Sequence, residues 1–130
     1  MATWEGVVRR ASREVQVEAS AGELSLTISR TAPSGAIREQ RVMVTRYRAW
    51  DRDMIEIRSA FGEAGRYAAE GLLAENLGLP LGAIAMHGRY LVVVQKACLE
   101  DLTDDGAWFL VARIGDLADA LEGRSGADVY

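Results

Sequence analysis

Residues 72–94 read LLAENLGLPLGAIAMHGRYLVVV, and this stretch contains the change of pattern that decides the fold. Its first part continues a helical spacing of apolar residues, which predicts a helix from about residue 64 to residue 77. Gly78 can adopt the left-handed conformation that follows the last turn of a helix, and Pro80 cannot continue one. We therefore expect the helix to stop at Gly78.

Strand-like sequence follows this helix. Residues 81–86 and 90–96 are mostly apolar and have the length of a strand. His87 and Gly88 lie between the two runs, and both tolerate the positive φ angles that a two-residue hairpin loop requires. The stretch therefore predicts an antiparallel pair of strands after the helix.

The N-terminal half adds a helix and several strands. Apolar residues at helical spacing predict a short helix over residues 3–12. Turn-forming residues predict a loop over 31–40 and a hairpin connection at 51–53. Alternation of apolar and polar residues predicts strands over 24–29, 41–49 and 54–60, and a possible extra strand over 14–20.

A long helix over residues 104–122 closes the pattern, with Thr103 as its N-cap and Gly123 after its last turn. The element order is α-β-β-β-α-β-β-α, with the possible extra strand near the N-terminus. This order predicts the α+β class, an antiparallel sheet with helices packed on it. We expect residues 1–123 to form one domain and residues 124–130 to form a flexible tail.

Composition excludes several kinds of site. The 130 residues contain one cysteine and one histidine, so an internal disulfide and a two-histidine metal site are both excluded. The net charge of −4 gives no general attraction to nucleic acid or anionic lipid. No signal peptide or membrane-spanning run is recognisable, which predicts a cytoplasmic protein with no membrane partner.

Two sets of residues could carry chemistry. His87 and Cys98 are expected near opposite ends of one strand, too far apart to act as a nucleophile and its base. The acidic cluster at residues 100–105 matches no calcium-binding loop, and the start of a helix favours negative charge there in any case. We therefore expect no catalytic, metal or cofactor-binding residue, and no enzymatic activity.

The C-terminal half resembles a known family. Residues 72–85 are similar to the helix–"N-x-x-L-P-L-G-x-x-A/G"–strand passage of YbjN-like proteins, whose relatives, the class I type III secretion chaperones, share the fold. The similarity extends through the hairpin at 86–94, the "L-x-x-L-s/t" helix entry at 99–103 and the helix end at 117–122. The resemblance implies a small acidic homodimer that holds an unfolded or extended polypeptide segment.

The predicted middle helix has an unusual second face. Its presumed core side carries Leu73 and Leu77, whereas the other side has small residues and few charges. Small residues allow another backbone to approach closely, so this side is a candidate dimer interface, unless it is simply an alanine-rich exposed face. The candidate residues are Ala64, Tyr67, Ala68, Gly71 and Ala74.

The predicted strand 41–49 carries apolar residues on both faces, so one face could meet a partner. Trp50, at its end, is a candidate anchor, because tryptophan is frequent in binding hot spots. The alternative is a bulged strand with Trp50 folded over the sheet edge. The candidate partner-binding residues are Val42, Val44, Tyr47 and Trp50.

The function that these patterns favour is a non-catalytic, chaperone-like protein-binding module. Apolar burial would drive the binding of an extended partner segment, and backbone pairing at a sheet edge would orient it. The first alternative is a regulatory module for stress or signal transduction, also without catalysis. A remote alternative is nucleic-acid binding through the arginine-rich region Arg38–Arg52, where Tyr47 and Trp50 could stack on bases.

Overall fold

Six strands form one antiparallel sheet in the order β1-β2-β3-β4-β6-β5. The computed structural model describes residues 1–124, with the backbone alone for Arg124, so residues 125–130 of the predicted tail lie outside the described residues. The strands are β1 (Val17–Ser20), β2 (Glu23–Thr31), β3 (Ile37–Ala49), β4 (Arg52–Glu63), β5 (Ala83–His87) and β6 (Tyr90–Cys98). The helices are α1 (Trp4–Glu14), α2 (Ala69–Gly78) and α3 (Asp104–Arg124).

This architecture confirms the predicted α+β class and includes the extra strand near the N-terminus, β1. Alternate residues of the strands form one buried face, because successive side chains of a strand point to opposite sides. Leu24, Val44 and Ile57 pair across β2, β3 and β4 and are fully buried. They pack with Val111 and Ile114 of α3 in a single core cluster. The helices therefore cover one face of the sheet.

The long C-terminal helix α3 starts as predicted. The Thr103 hydroxyl accepts a hydrogen bond from the Gly106 N–H at 2.9 Å, which satisfies one of the free donors of the first turn. Its end differs from the prediction, because the helix continues through Gly123 to Arg124. A Cβ at Gly115 would lie 3.1 Å from Ile28 and Val42, so this glycine lets α3 lie close to the sheet.

The predicted helix over 64–77 is wrong in its first part. Residues 64–66 form a single 3₁₀ turn, and α2 begins only at Ala69. The reason is tertiary: the Tyr67 ring packs edge-on against Phe61, with 5.6 Å between the centroids. This contact holds Tyr67 against the end of β4. The backbone of Tyr67 is extended, so a helix cannot continue through this residue. At the other end, Gly78 is the last helical residue rather than a left-handed residue after it.

Three connections also differ from the prediction by a few residues. Strand β3 already begins at Ile37, so the loop predicted over 31–40 is shorter. The β3–β4 turn consists of Trp50 and Asp51 rather than residues 51–53. The β5–β6 loop is Gly88-Arg89, because His87 pairs with Tyr90. Strand β5 begins at Ala83, because the preceding Gly82 has a φ of +72° that a regular strand does not accept.

Candidate partner-binding surfaces

The second face of the sheet carries no helix within residues 1–124. Its central positions mix apolar and charged side chains of intermediate exposure, among them Met43, Met54 and Val94. The Glu56 carboxylate lies 3.1 Å from Arg58 and 3.8 Å from Lys96 in the middle of this face. Such a face, part apolar and part paired charge, is accessible to a partner.

The predicted partner-binding residues are divided between the two faces. Val42 and Val44 are completely buried beneath α3, so the prediction that they contact a partner is wrong. Tyr47 lies on the open face and is half-buried; burial, with a smaller contribution from the Glu56 carboxylate, raises the pKa of its phenol. Trp50 does not fold over the sheet edge, because its side chain is 88% exposed.

The turn that presents Trp50 has an unfavourable backbone. Trp50 and Asp51 have φ angles of +50° and +60°, a conformation in which two-residue hairpin loops strongly prefer Asn-Gly. Arg48 donates a hydrogen bond of 2.8 Å to the Asp51 carbonyl oxygen across the turn. Residues of this kind cost free energy and persist only when their surroundings hold them in place.

Ion pairs hold both strands that lead to this turn. The Arg46 guanidinium donates two hydrogen bonds to the Asp53 carboxylate, at 2.9 and 2.8 Å, and this contact lowers the pKa of Asp53. Arg52 lies 3.2 Å from Glu100, which follows β6. Arg38 also lies 3.1 Å from Asp119, so three of the five arginines of residues 38–52 pair with carboxylates of the same chain, which argues against that remote alternative.

The edge at β2 is only partly covered. Strand β1 pairs with residues 23–26 of β2 and leaves the outer edge of residues 27–31 without a partner strand in the described chain. Ser20 and Glu23 close a two-residue turn, so Glu23 and every second residue after it direct their backbone N–H and C=O outward from β3. The outward N–H and C=O groups therefore lie beyond the end of β1 at three residues, Thr27, Ser29 and Thr31.

This free edge lies in a surface depression of about 780 Å³. Val15 and Val17 contribute apolar surface on one side of the depression. Glu18 and Glu39 are exposed and contribute negative charge, whereas Arg41 donates to the Ser25 hydroxyl at 3.2 Å. The depression thus combines unpaired strand backbone with apolar and acidic side chains.

The opposite edge, β5, is closed by a side chain. The Asn76 amide of α2 accepts from the Ile84 N–H at 2.5 Å and donates to the Ile84 carbonyl oxygen at 3.3 Å. The side chain therefore occupies the outward N–H and C=O of Ile84, which a seventh strand would otherwise use. The local sequence pattern does not indicate this role of Asn76; the available signal is an asparagine near the end of a helix that precedes an edge strand.

The predicted dimer residues do not form one helix face. Ala64 lies in the 3₁₀ turn, Tyr67 packs on Phe61, and Ala68 is the N-cap residue of α2. Only Gly71 and Ala74 belong to α2, where they line a groove against the C-terminal half of α3.

The orientation of α2 was also predicted wrongly. Leu73 and Leu77, expected in the core, are exposed, and Leu77 is 92% accessible. No residue of α2 is fully buried; Leu72 is half-buried against the core.

The residues considered for chemistry are separated. His87 is the last residue of β5, opposite Tyr90, whereas Cys98 is the last residue of β6 at its other end. In the acidic cluster, Asp105 pairs with Arg10 at 2.8 Å and Glu100 pairs with Arg52. Within residues 1–124, no three His, Cys, Asp or Glu side chains are grouped so that they could hold a metal ion.

No family model matches the sequence, and no curated protein matches it. Among the described residues, none of the helices is long and apolar enough to cross a membrane.

Proposed function

We propose that this protein is a non-catalytic, chaperone-like binding module that holds an extended segment of a partner polypeptide in the cytoplasm. The resemblance to YbjN-like proteins and secretion chaperones implies such a role. The observation that carries the proposal is the free edge of β2 at residues 27–31, which borders a surface depression of about 780 Å³.

An extended segment would add to this edge as a strand in line with β1. Thr27, Ser29 and Thr31 would supply the backbone hydrogen bonds, and alternate side chains of the segment would meet Val15 and Val17. Backbone hydrogen bonds give affinity for extended segments of many sequences. The side chains that flank the edge give preference for some of these sequences. The exposed Glu18 and Glu39 favour a segment that contains lysine or arginine.

The proposal includes self-association of the chain as a homodimer. Support comes from large apolar side chains that the monomer leaves exposed, including Trp50 in the β3–β4 turn and Leu77 near the end of α2. Exposed apolar patches of this kind often mark interaction sites. A regulatory module would bind its partner through the same surfaces, so the identity of the bound polypeptide separates the two functions.

A proline at Ser29 tests the binding mode. The Ser29 N–H points away from β3, so Ser29→Pro removes a donor at the free edge without removing a hydrogen bond of the β2–β3 ladder. Ala19→Pro is the matched control, because Ala19 also directs its N–H outward, from β1 and outside the proposed binding stretch. A photo-crosslinking amino acid at Thr27 in living cells, followed by mass spectrometry, reports the bound segment.

The expected result is one defined, extended polypeptide segment crosslinked at Thr27. Ser29→Pro should reduce this crosslink at least tenfold, and Ala19→Pro should leave it unchanged. Equal crosslinking in both proline variants, or crosslinks to nucleic acid alone, would exclude strand addition at this edge.

A further inference from the structure

A groove separates α2 from the C-terminal half of α3. It has a volume of about 330 Å³, at the small end of the range for ligand pockets. Gly71 and Ala74 of α2 and Ala120 of α3 form its borders, and Leu117, Leu121 and Pro80 supply apolar surface. Because the bordering residues have little or no side chain, a flat ring can enter between the helices.

The same chain presents a ring of this kind. Trp50 projects from the β3–β4 turn, and the hydrogen bond from Arg48 and the Arg46–Asp53 pair hold that turn. The backbone at Trp50 is therefore held in place before any contact forms, which lowers the entropy cost of docking the turn. A buried tryptophan contributes about 150–250 Å² of contact surface and commonly acts as an anchor.

Trp50 cannot reach the groove of its own molecule. The turn lies near the start of α3, because Arg52 pairs with Glu100 just before that helix. The groove lies near the end of α3, where Asp119 pairs with Arg38 at the start of β3. The 21 residues of α3 span about 30 Å, so the two features lie at opposite ends of the molecule.

The charges at the two ends are complementary. The only charged residues of α2 are Glu70 and Glu75, and Glu75 lies at the groove. Beside Trp50, Arg48 donates to a backbone carbonyl oxygen and contributes to the lowered pKa of Asp53, but no carboxylate of residues 1–124 lies within 4 Å of its guanidinium. A second copy whose turn approaches α2 would bring Arg48 toward these glutamates.

We propose that the α2–α3 groove binds the indole of Trp50 from a second copy of this chain. Two copies that lie antiparallel place each Trp50 at the groove of the other, so one twofold axis closes both contacts. This inference rests on the proposed self-association and names its contact. It is independent of partner binding at the edge of β2.

The test uses two variants that each remove one side of the contact. Trp50→Asn removes the indole and supplies a residue that tolerates the turn, and Ala120→Arg fills the groove from an exposed helix position. Light scattering at high micromolar concentration should give twice the 14.2 kDa monomer mass for the unmodified chain. Each variant alone should raise the dimer dissociation constant at least tenfold.

Mixing the variants is the decisive step. The Ala120→Arg chain keeps its Trp50 and the Trp50→Asn chain keeps its groove, so an equimolar mixture should recover part of the dimer. The control, Leu73→Arg, changes an exposed side chain of α2 outside the groove and should leave dimerisation unchanged.

Three results would overturn the inference. A monomeric unmodified chain would exclude both the proposed self-association and this contact. A dimer that persists in Trp50→Asn but is lost in Leu73→Arg would assign dimerisation to the exposed leucines of α2. A mixture that stays monomeric would show that indole and groove are not complementary.

Discussion

At the scale of single residues, Trp50 is the feature that local sequence preference explains least. Its φ of +50° and the φ of +60° at Asp51 belong to a turn type that strongly favours asparagine and glycine. Hydrogen bonds from three nearby arginines help to offset the cost of this backbone conformation. Arg46 donates to Asp53, Arg48 to the Asp51 carbonyl oxygen and Arg52 to Glu100. A strained position that exposes a tryptophan is an observation that points toward binding.

We expect Trp50→Asn to stabilise the monomer by about 0.5–1 kcal/mol, because asparagine tolerates a positive φ better than tryptophan. Chemical denaturation at a concentration where the chain is monomeric measures the effect. Trp50→Leu removes the indole without relieving the backbone and should change stability by less than about 0.5 kcal/mol. A loss of stability in Trp50→Asn would mean that the indole stabilises the isolated molecule.

At the scale of elements, the helix α2 shows why local pattern is insufficient. The spacing of Leu72, Leu73 and Leu77 predicts a helix, and a helix forms, but only Leu72 contacts the core. In a short apolar helix, the spacing of apolar residues allows more than one face to be the buried face. The segments that pack against the helix decide which face is buried. Here the hydrogen bonds of Asn76 to the edge of β5 help to set the rotation of α2.

Asn76→Ala should destabilise the protein by about 1–2 kcal/mol, because the Ile84 N–H and C=O lose their protein partners at the sheet edge. Hydrogen exchange at the Ile84 amide should accelerate, while exchange at the buried Val93 stays slow. Asn76→Asp keeps the acceptor for the Ile84 N–H and loses the donor, so its effect should be intermediate. Unchanged exchange at Ile84 would contradict a role of Asn76 in closing this edge.

At the scale of the whole molecule, α3 connects the central strands into one unit. Ile114 is fully buried, and its Cδ1 atom would lie 2.9 Å from a Cβ at Gly82, so α3 and the chain entering β5 are tightly packed. Removing core volume from α3 should therefore weaken the entire sheet rather than one end of it.

We expect Ile114→Ala to lower the free energy of unfolding by about 2–5 kcal/mol, from lost burial and the cavity left behind. Phe109→Ala is the control on the same helix, since Phe109 is more than half exposed and its loss should cost less than about 1 kcal/mol. Far-ultraviolet circular dichroism and tryptophan fluorescence should report one common transition in Ile114→Ala. Separate transitions would show that α3 does not couple the strands.

Local sequence was sufficient for the order and type of the elements. The alternation in β2, the Thr103 cap and the helical spacing of α3 each follow from short-range geometry, and the six-stranded α+β arrangement agrees with them. The buried positions of β3 were ambiguous, because Val42 and Val44 share a face with arginines and Met43 lies on the other. Their burial depends on which face α3 covers.

What the sequence by itself determined is therefore the set of elements, their approximate ranges and the absence of paired cysteines or histidines. Only the tertiary structure decided which side of α2 is exposed, which half of β2 has a free edge, and that Trp50 and the α2–α3 groove lie at opposite ends of α3. The physical reason is the distance along the sequence over which the residues interact. Helix and strand patterns arise from residues a few positions apart, whereas grooves, free edges and exposed faces depend on contacts between distant segments.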